Sequence, residues 1–244
     1  MTPLQFRSGD HLLYGVYHAA LTTNNRPTAV LICPPFGEEA ARAHRSLRRL
    51  SERLASRGCS VLRFDFRGTG DSSGGPEDAT CSAWSEDILA ASSWLVERSG
   101  ATRLFCVACG LSAPLAEAAY QRAHDLAVDG VLAWVPVTDG AAYLSELAYA
   151  HQRACRQRGL QANERGQPSA PLGWPLPPVL ADEIARIDMA SLSSADFPVT
   201  RLDRVDAALT AEDARAWSLD HAGQPFQMAP QAIEKILEWL DAKR

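Results

Sequence analysis

The sequence predicts an α/β protein: a mostly parallel sheet flanked by helices. Three observations point there. Short β-rich apolar runs alternate along the chain with longer stretches whose apolar residues recur every three or four positions. The connections between them are short, which favours right-handed strand–helix–strand units and a sheet covered on both faces. The composition of the 244 residues, with 46% hydrophobic, 22% charged and 7% aromatic, is that of a globular chain able to bury a sizeable core.

Taken in order, residues 4–7 and 12–17 read as strands. Thr28-Ala-Val-Leu-Ile-Cys33 is a continuous apolar run stopped by Pro34-Pro35, the pattern of a strand buried on both faces. A helix over residues 39–57 carries Ala43, Leu47, Leu50 and Leu54 on one stripe and ends at Gly58. Residues 60–66 form the next strand, followed by a glycine-rich loop. A second helix presents Trp84, Ile88, Ala91 and Leu95 and stops near Gly100. Then come a strand over 103–109, a helix over 112–124 and a strand over 130–135. After Pro136 the alternation breaks. Helical stretches at 142–156 and 179–187 flank a segment, 166–178, too rich in proline for regular structure. Residues 140–195 therefore read as an insertion over the sheet edge. Strands at 198–205 and 214–219 and a last helix with Ile233, Ile236, Leu237 and Leu240 complete the pattern.

Charge and cysteine usage exclude several function classes. A net charge of −5 and a pI near 5.7 argue against a general nucleic-acid partner. Mean hydropathy is −0.16, and no apolar run approaches the roughly 20 residues of a membrane span. The first residues lack a basic segment followed by an apolar one, so no secretory signal is expected. The six cysteines are scattered, which suggests reduced thiols and a cytoplasmic protein.

Chemistry is concentrated at three loops. The strand ending Cys106-Val-Ala-Cys109 runs into Gly110-Leu-Ser112-Ala-Pro114 and a helix. A G-x-S at a strand–turn–helix junction is the setting of a nucleophile elbow, with Ser112 exposed on strained backbone at a helix N-terminus. Ser112 as a simple helix cap is the alternative. Pro114 stands where the motif has its second glycine. The loop Cys33-Pro-Pro-Phe36-Gly-Glu-Glu39 could supply an oxyanion donor. The prolines have no N–H, so Phe36 is the first donor available. Glu38 and Glu39 read as favourable charges on a helix N-terminus. In Arg63-Phe-Asp-Phe-Arg-Gly68-Thr-Gly70-Asp-Ser-Ser-Gly74 the glycine spacing departs from the dinucleotide fingerprint at Ser73 and follows a later strand.

The run Phe64-Asp-Phe-Arg-Gly-Thr-Gly-Asp-Ser-Ser-Gly74, set between the Pro-Pro-Phe-Gly loop and the G-x-S turn, resembles the α/β-hydrolase superfamily. Cys33-Pro-Pro-Phe-Gly-Glu-Glu39 and Asp139-Gly-Ala-Ala-Tyr-Leu144 resemble in particular the hydrolases associated with exosortase systems, near the serine aminopeptidase-like branch. The resemblance spans residues 28–145 well and the remainder loosely. It implies an α/β-hydrolase fold with a helical cap after the sixth strand: residues 1–139 and 196–244 as core, 140–195 as cap. It also implies a Ser–acid–His triad in that chain order.

Of the six histidines, His221 alone lies between the last strand and the last helix, where a triad histidine belongs. His11, His18, His44 and His124 read as surface or strand residues, and His151 as a solvated helix position in the cap. Asp206 closes the strand before His221 and is the candidate acid, with Asp203 and Asp213 as alternatives. Cys106 and Cys109, three apart on a strand, point to opposite faces and read as core thiols. The arginines at 42, 45, 48, 49, 53 and 57 read as a solvated helix face. Trp174 and Trp217 are candidate pocket walls.

These readings lead to a serine hydrolase acting on an ester, thioester or amide of a small-molecule or acyl substrate. Ser112 is the nucleophile, His221 the base, Asp206 its orienting acid, and the Phe36 and Ala113 N–H groups the oxyanion hole. No cofactor or metal is implied, and a homo-oligomer is compatible with it. The alternatives are a non-catalytic binding or scaffold protein of the same fold, motivated by Pro114 and the short segment between Asp206 and His221, and a nucleotide binder using the glycine loop.

Overall fold

The chain opens with a hairpin, β1 (Thr2–Ser8) and β2 (His11–His18), in the computed structural model, which describes residues 1–22, 26–123, 125–159, 168–192, 199–202 and 230–243. β2 pairs antiparallel with β4 (Cys59–Phe64), and β4 pairs parallel with β3 (Thr28–Cys33). β5 (Arg103–Cys109), β6 (Gly130–Trp134) and β7 (Val199–Leu202) extend the parallel part, giving the order β1-β2-β4-β3-β5-β6-β7. The sheet is thus mostly parallel, with the one antiparallel hairpin at its edge.

All six residues of β3 are buried because both faces are covered. Ala29, Leu31 and Cys33 enter one core with helix α2 (Cys81–Ser99), whereas Val30 and Ile32 enter the other with α1 (Glu38–Ser56) and the C-terminal helix α7 (Pro230–Lys243). The expected stripe Ala43, Leu47, Leu50 and Leu54 is the buried face of α1. Its outer arginines are partly neutralised: Arg48 pairs with Glu52 at 2.8 Å, and Arg53 and Arg57 reach Glu234 and Asp241 of α7 at 2.5 Å. α2 starts where the Thr80 side chain accepts the Ala83 N–H and ends at left-handed Gly100.

Between β6 and β7 lie α4 (Gly140–Gln157), a 3-10 turn (Pro171–Gly173), α5 (Pro178–Ala185) and the one-turn α6 (Met189–Leu192). Asp139 caps α4 through the Ala142 N–H at 2.9 Å, and Gly140 is obligatory because a Cβ there would strike the Ile184 carbonyl. His151 is a structural staple, its Nδ1 accepting the Leu172 N–H at 3.1 Å.

Boundaries shift where local geometry overrides pattern. β4 stops at Phe64, two residues early, because Asp65 turns away to organise the glycine loop. The helix after β5, α3 (Ser112–Arg122), ends before His124, which is outside the described residues together with the strand expected at 214–219 and half of that at 198–205. None of the described helices is long and apolar enough to cross a membrane.

Candidate functional site at the elbow and its cavity

The turn after β5 differs from the expected elbow in register. The left-handed residue is Gly110, at φ +57°, and not Ser112. Gly110 N–H donates to Trp134 O at 3.0 Å, and its carbonyl accepts Val137 N–H at 3.1 Å, so the bend is tied to the end of β6. Leu111 is already in right-handed helical conformation as the cap of α3, and Ser112 is that helix's first residue.

This register buries Ser112: against the exposure expected of an elbow serine, it is 1% accessible. Its Oγ accepts the Cys109 N–H at 3.0 Å and lies 2.9 Å from Cys109 O and 3.1 Å from Cys33 O. A hydroxyl has one proton, so it donates to one of these carbonyls at a time. The side chain therefore ties β5 to β3 and does not cap the helix. The Ala113 N–H, the expected oxyanion donor, donates to Gly110 O at 3.2 Å instead. At the apex itself a Cβ on Gly110 would lie 3.2 Å from the Cβ of Pro35 and 3.3 Å from Oε2 of Glu39, which is only 9% exposed. Glu39 is thus folded over the bend, whereas the sequence suggests a charge at a helix end.

A cavity of about 480 Å³ opens beside this turn. One end is apolar: Phe36, Trp84, Leu111, Leu115 and Trp174 line it, with Ser112 in its wall. Phe36 and Trp84 pack with ring centroids 5.7 Å apart. Trp174, from the segment between β6 and β7, lies over the loop before α1, and left-handed Gly37 is needed there because a Cβ would come within 3.3 Å of its ring. His44, Arg48, Arg63, Asp65 and Asp71 line the other end. The sequence shows Arg63 only as the first residue of the glycine-loop run and His44 only as a surface or strand residue; they lie on β4 and α1, and no local motif joins them.

The glycine loop shapes this polar end. Gly70 has φ +54°, and a Cβ on it would strike the Asp65 carboxylate. Asp65 accepts the Asp71 N–H at 3.1 Å, and its carbonyl accepts the Ser72 hydroxyl at 2.6 Å. Burial raises the Asp65 pKa from its ordinary value, partly offset by that Asp71 N–H. Beneath the loop, Arg67 Nε and Nη2 donate to Asp87 Oδ1 at 2.9 and 2.7 Å, and Trp84 Nε1 donates to Arg67 O at 3.0 Å. The glycines therefore serve the loop's own turns, and no phosphate cradle is needed to explain them.

The thiols are core groups. Cys106 faces one core and Cys109 the other, and Cys33 Sγ lies 3.7 Å from Cys106 Sγ across adjacent strands. Burial pushes the Cys33 and Cys109 thiols up, away from nucleophilic thiolate. Among the described residues no group of three His, Cys, Asp or Glu is placed to hold a metal. Asp206, Asp203, Asp213, Trp217 and His221 lie outside the described residues.

No protein-family model and no curated protein matches the sequence. Solved structures do resemble the fold. Est1E from Butyrivibrio proteoclasticus, solved with ferulic acid bound, aligns over 98% of this chain and 98% of its own, with a TM-score of 0.63 and 16% identity. The α/β hydrolase GrgF from a Penicillium species aligns over 99% and 96%, with a TM-score of 0.61 and 16% identity. A proline iminopeptidase-related protein from Thermus thermophilus aligns over 99% and 97%, with a TM-score of 0.61 and 20% identity. At such identities the likeness is one of fold.

Proposed function

This chain has the α/β-hydrolase fold, and we propose that it works as a ligand-binding member of it: the cavity takes a small organic molecule, and the elbow forms no acyl-enzyme. One observation carries this reading. The bend that should present a nucleophile has glycine at its left-handed apex, and the nearest hydroxyl, on Ser112, is buried in hydrogen bonds to Cys109 and Cys33. A serine in that state offers neither an exposed lone pair nor a reachable proton. The aromatic lining beside it supports binding, since concave and largely apolar sites with a few polar groups are the usual form of ligand pockets. Residues 140–195 act as the cap in this reading, supported by Trp174 lying over the Pro-Pro-Phe-Gly loop. The resemblance to exosortase-associated hydrolases suggests exopolysaccharide or surface-protein export as the setting, and six free cysteines fit the cytoplasm.

The second reading is the serine hydrolase, favoured by one observation: Ser112 heads α3 and contributes to the cavity wall. There, Ser112 Oγ adds to the carbonyl carbon of an ester, thioester or amide while its proton passes to His221, oriented by Asp206 or by Asp203 or Asp213. The leaving group departs with that proton, and water then releases the acid from the serine. Phe36 and Ala113 N–H groups would hold the oxyanion, which requires Ala113 to leave Gly110 O and Ser112 to leave Cys33 and Cys109.

A serine-directed fluorophosphonate separates the two. The binding reading expects folded protein to remain unlabelled. Labelling of the wild type that disappears in Ser112→Ala and weakens in His221→Ala would establish the hydrolase instead.

A further inference from the structure

We infer that the polar end of the cavity is a subsite for the carboxylate of an amphipathic organic monoanion, with Arg63 as its principal anchor; this rests on the cavity being a ligand site. Arg63 is the one charged residue of β4, on the face that Val61 shares with the α1 core. It is opposite Val16 of β2 and lines the cavity. Among the described residues its side chain has no ion-pair or hydrogen-bond partner, and its Nε is buried and unsatisfied. A guanidinium held half-buried without a partner is costly to the fold, and such groups are normally paired. Asp65 is the opposite charge that Arg63 feels most, but the two form no ion pair, and the remaining neighbours have contacts of their own. Asp65 accepts the Asp71 N–H, and Arg48 holds Glu52. The positive charge is felt nearby: burial first, and the Arg63 charge second, lower the His18 pKa to about 4.

The open guanidinium and the carboxylates around it bear on the ligand class. Arg48 and Arg63 face Asp65 and Asp71 across this end, with His44 beside them and Glu52 on Arg48. With Glu52 counted, three carboxylates offset the two arginines and this end holds no surplus positive charge, so the open guanidinium itself is what takes one carboxylate, and Asp65 and Asp71 oppose a second negative charge. The fork of a guanidinium matches a carboxylate in a planar, two-point contact. The far end of the cavity offers Trp84, Leu111, Leu115 and Trp174 to an acyl chain or aromatic body.

Octanoate, 1-octanol and octyl phosphate, titrated calorimetrically at pH 8, test this. Wild-type protein is expected to bind octanoate about tenfold more tightly than octanol, the worth of roughly one charge-assisted hydrogen bond. Octyl phosphate, a dianion at that pH, binds more weakly than octanoate. Arg63→Met reduces the octanoate preference to about twofold or less with octanol affinity retained, and Arg63→Lys restores part of the preference. Equal wild-type affinity for octanoate and octanol overturns the subsite without touching the cavity reading, and needs no variant. Tighter octyl phosphate overturns the monoanion assignment, and a preference that survives in folded Arg63→Met overturns Arg63 as anchor. If none of the three ligands binds, the cavity reading itself fails first.

Discussion

At the elbow end of the cavity the Ser112 hydroxyl is held by Cys109 and Cys33, while at the opposite end Arg63 keeps a buried Nε with no partner. Both are polar groups on the same cavity, and a fold that satisfies one while leaving the other open is treating them differently. A satisfied group stabilises the protein and is inert. An unsatisfied one costs stability and is recovered only when something binds. On the reading proposed above, structural work falls to Ser112, which resembles a nucleophile, and binding work to Arg63.

Substitutions break or sharpen that contrast. The largest effect should come from the platform under the polar end. Asp87 is fully buried against Arg67, and Asp87→Ala should cost about 3–5 kcal/mol in urea unfolding by stranding the guanidinium. Ser112→Ala should cost about 1–3 kcal/mol, because Cys109 N–H loses its acceptor, yet leave octanoate affinity unchanged. Arg63→Met should do the opposite, with an unfolding midpoint equal to or above wild type while octanoate affinity falls. A Ser112→Ala protein of undiminished stability, or an Arg63→Met protein that is much less stable, would erase the distinction between the two ends. Gly110→Ala should cost about 1–2 kcal/mol for forcing a Cβ into left-handed backbone, more if Pro35 does not yield.

The smallest effect is in pH. His18 is buried beside the Arg63 field, with its pKa lowered from 6.5 to about 4. The unfolded chain therefore binds a proton that the folded one refuses between those values. Stability contributed by the neutral imidazole is present above about pH 6.5 and is lost as pH falls toward 4. Urea midpoints at pH 7 and pH 5 should show a smaller drop in His18→Gln than in wild type.

Much of the architecture is readable from the sequence because it repeats local rules. The six-residue run 28–33 fits a strand covered on both faces, and the stripe on α1 and the stop at Gly100 follow from period and glycine placement. The spacing of the glycine loop argues against a nucleotide turn, but it does not reveal Asp65 as the loop's partner. The elbow misleads because G-x-S counted from Gly110 places the serine at the bend, whereas the backbone puts Gly110 itself there. Spacing is silent about which residue carries positive φ. The polar end of the cavity is illegible for a different reason: Arg63 lines it from β4 and His44 from α1, and no sequence window joins the two.

Incubation with p-nitrophenyl octanoate, followed by intact-protein mass measurement and peptide mapping, bears most directly on the division of labour between the two ends. The protein mass should stay unchanged, with nitrophenolate released no faster than by Ser112→Ala. An octanoyl ester mapped to Ser112 would contradict it, because that hydroxyl would then have left its backbone partners to do chemistry.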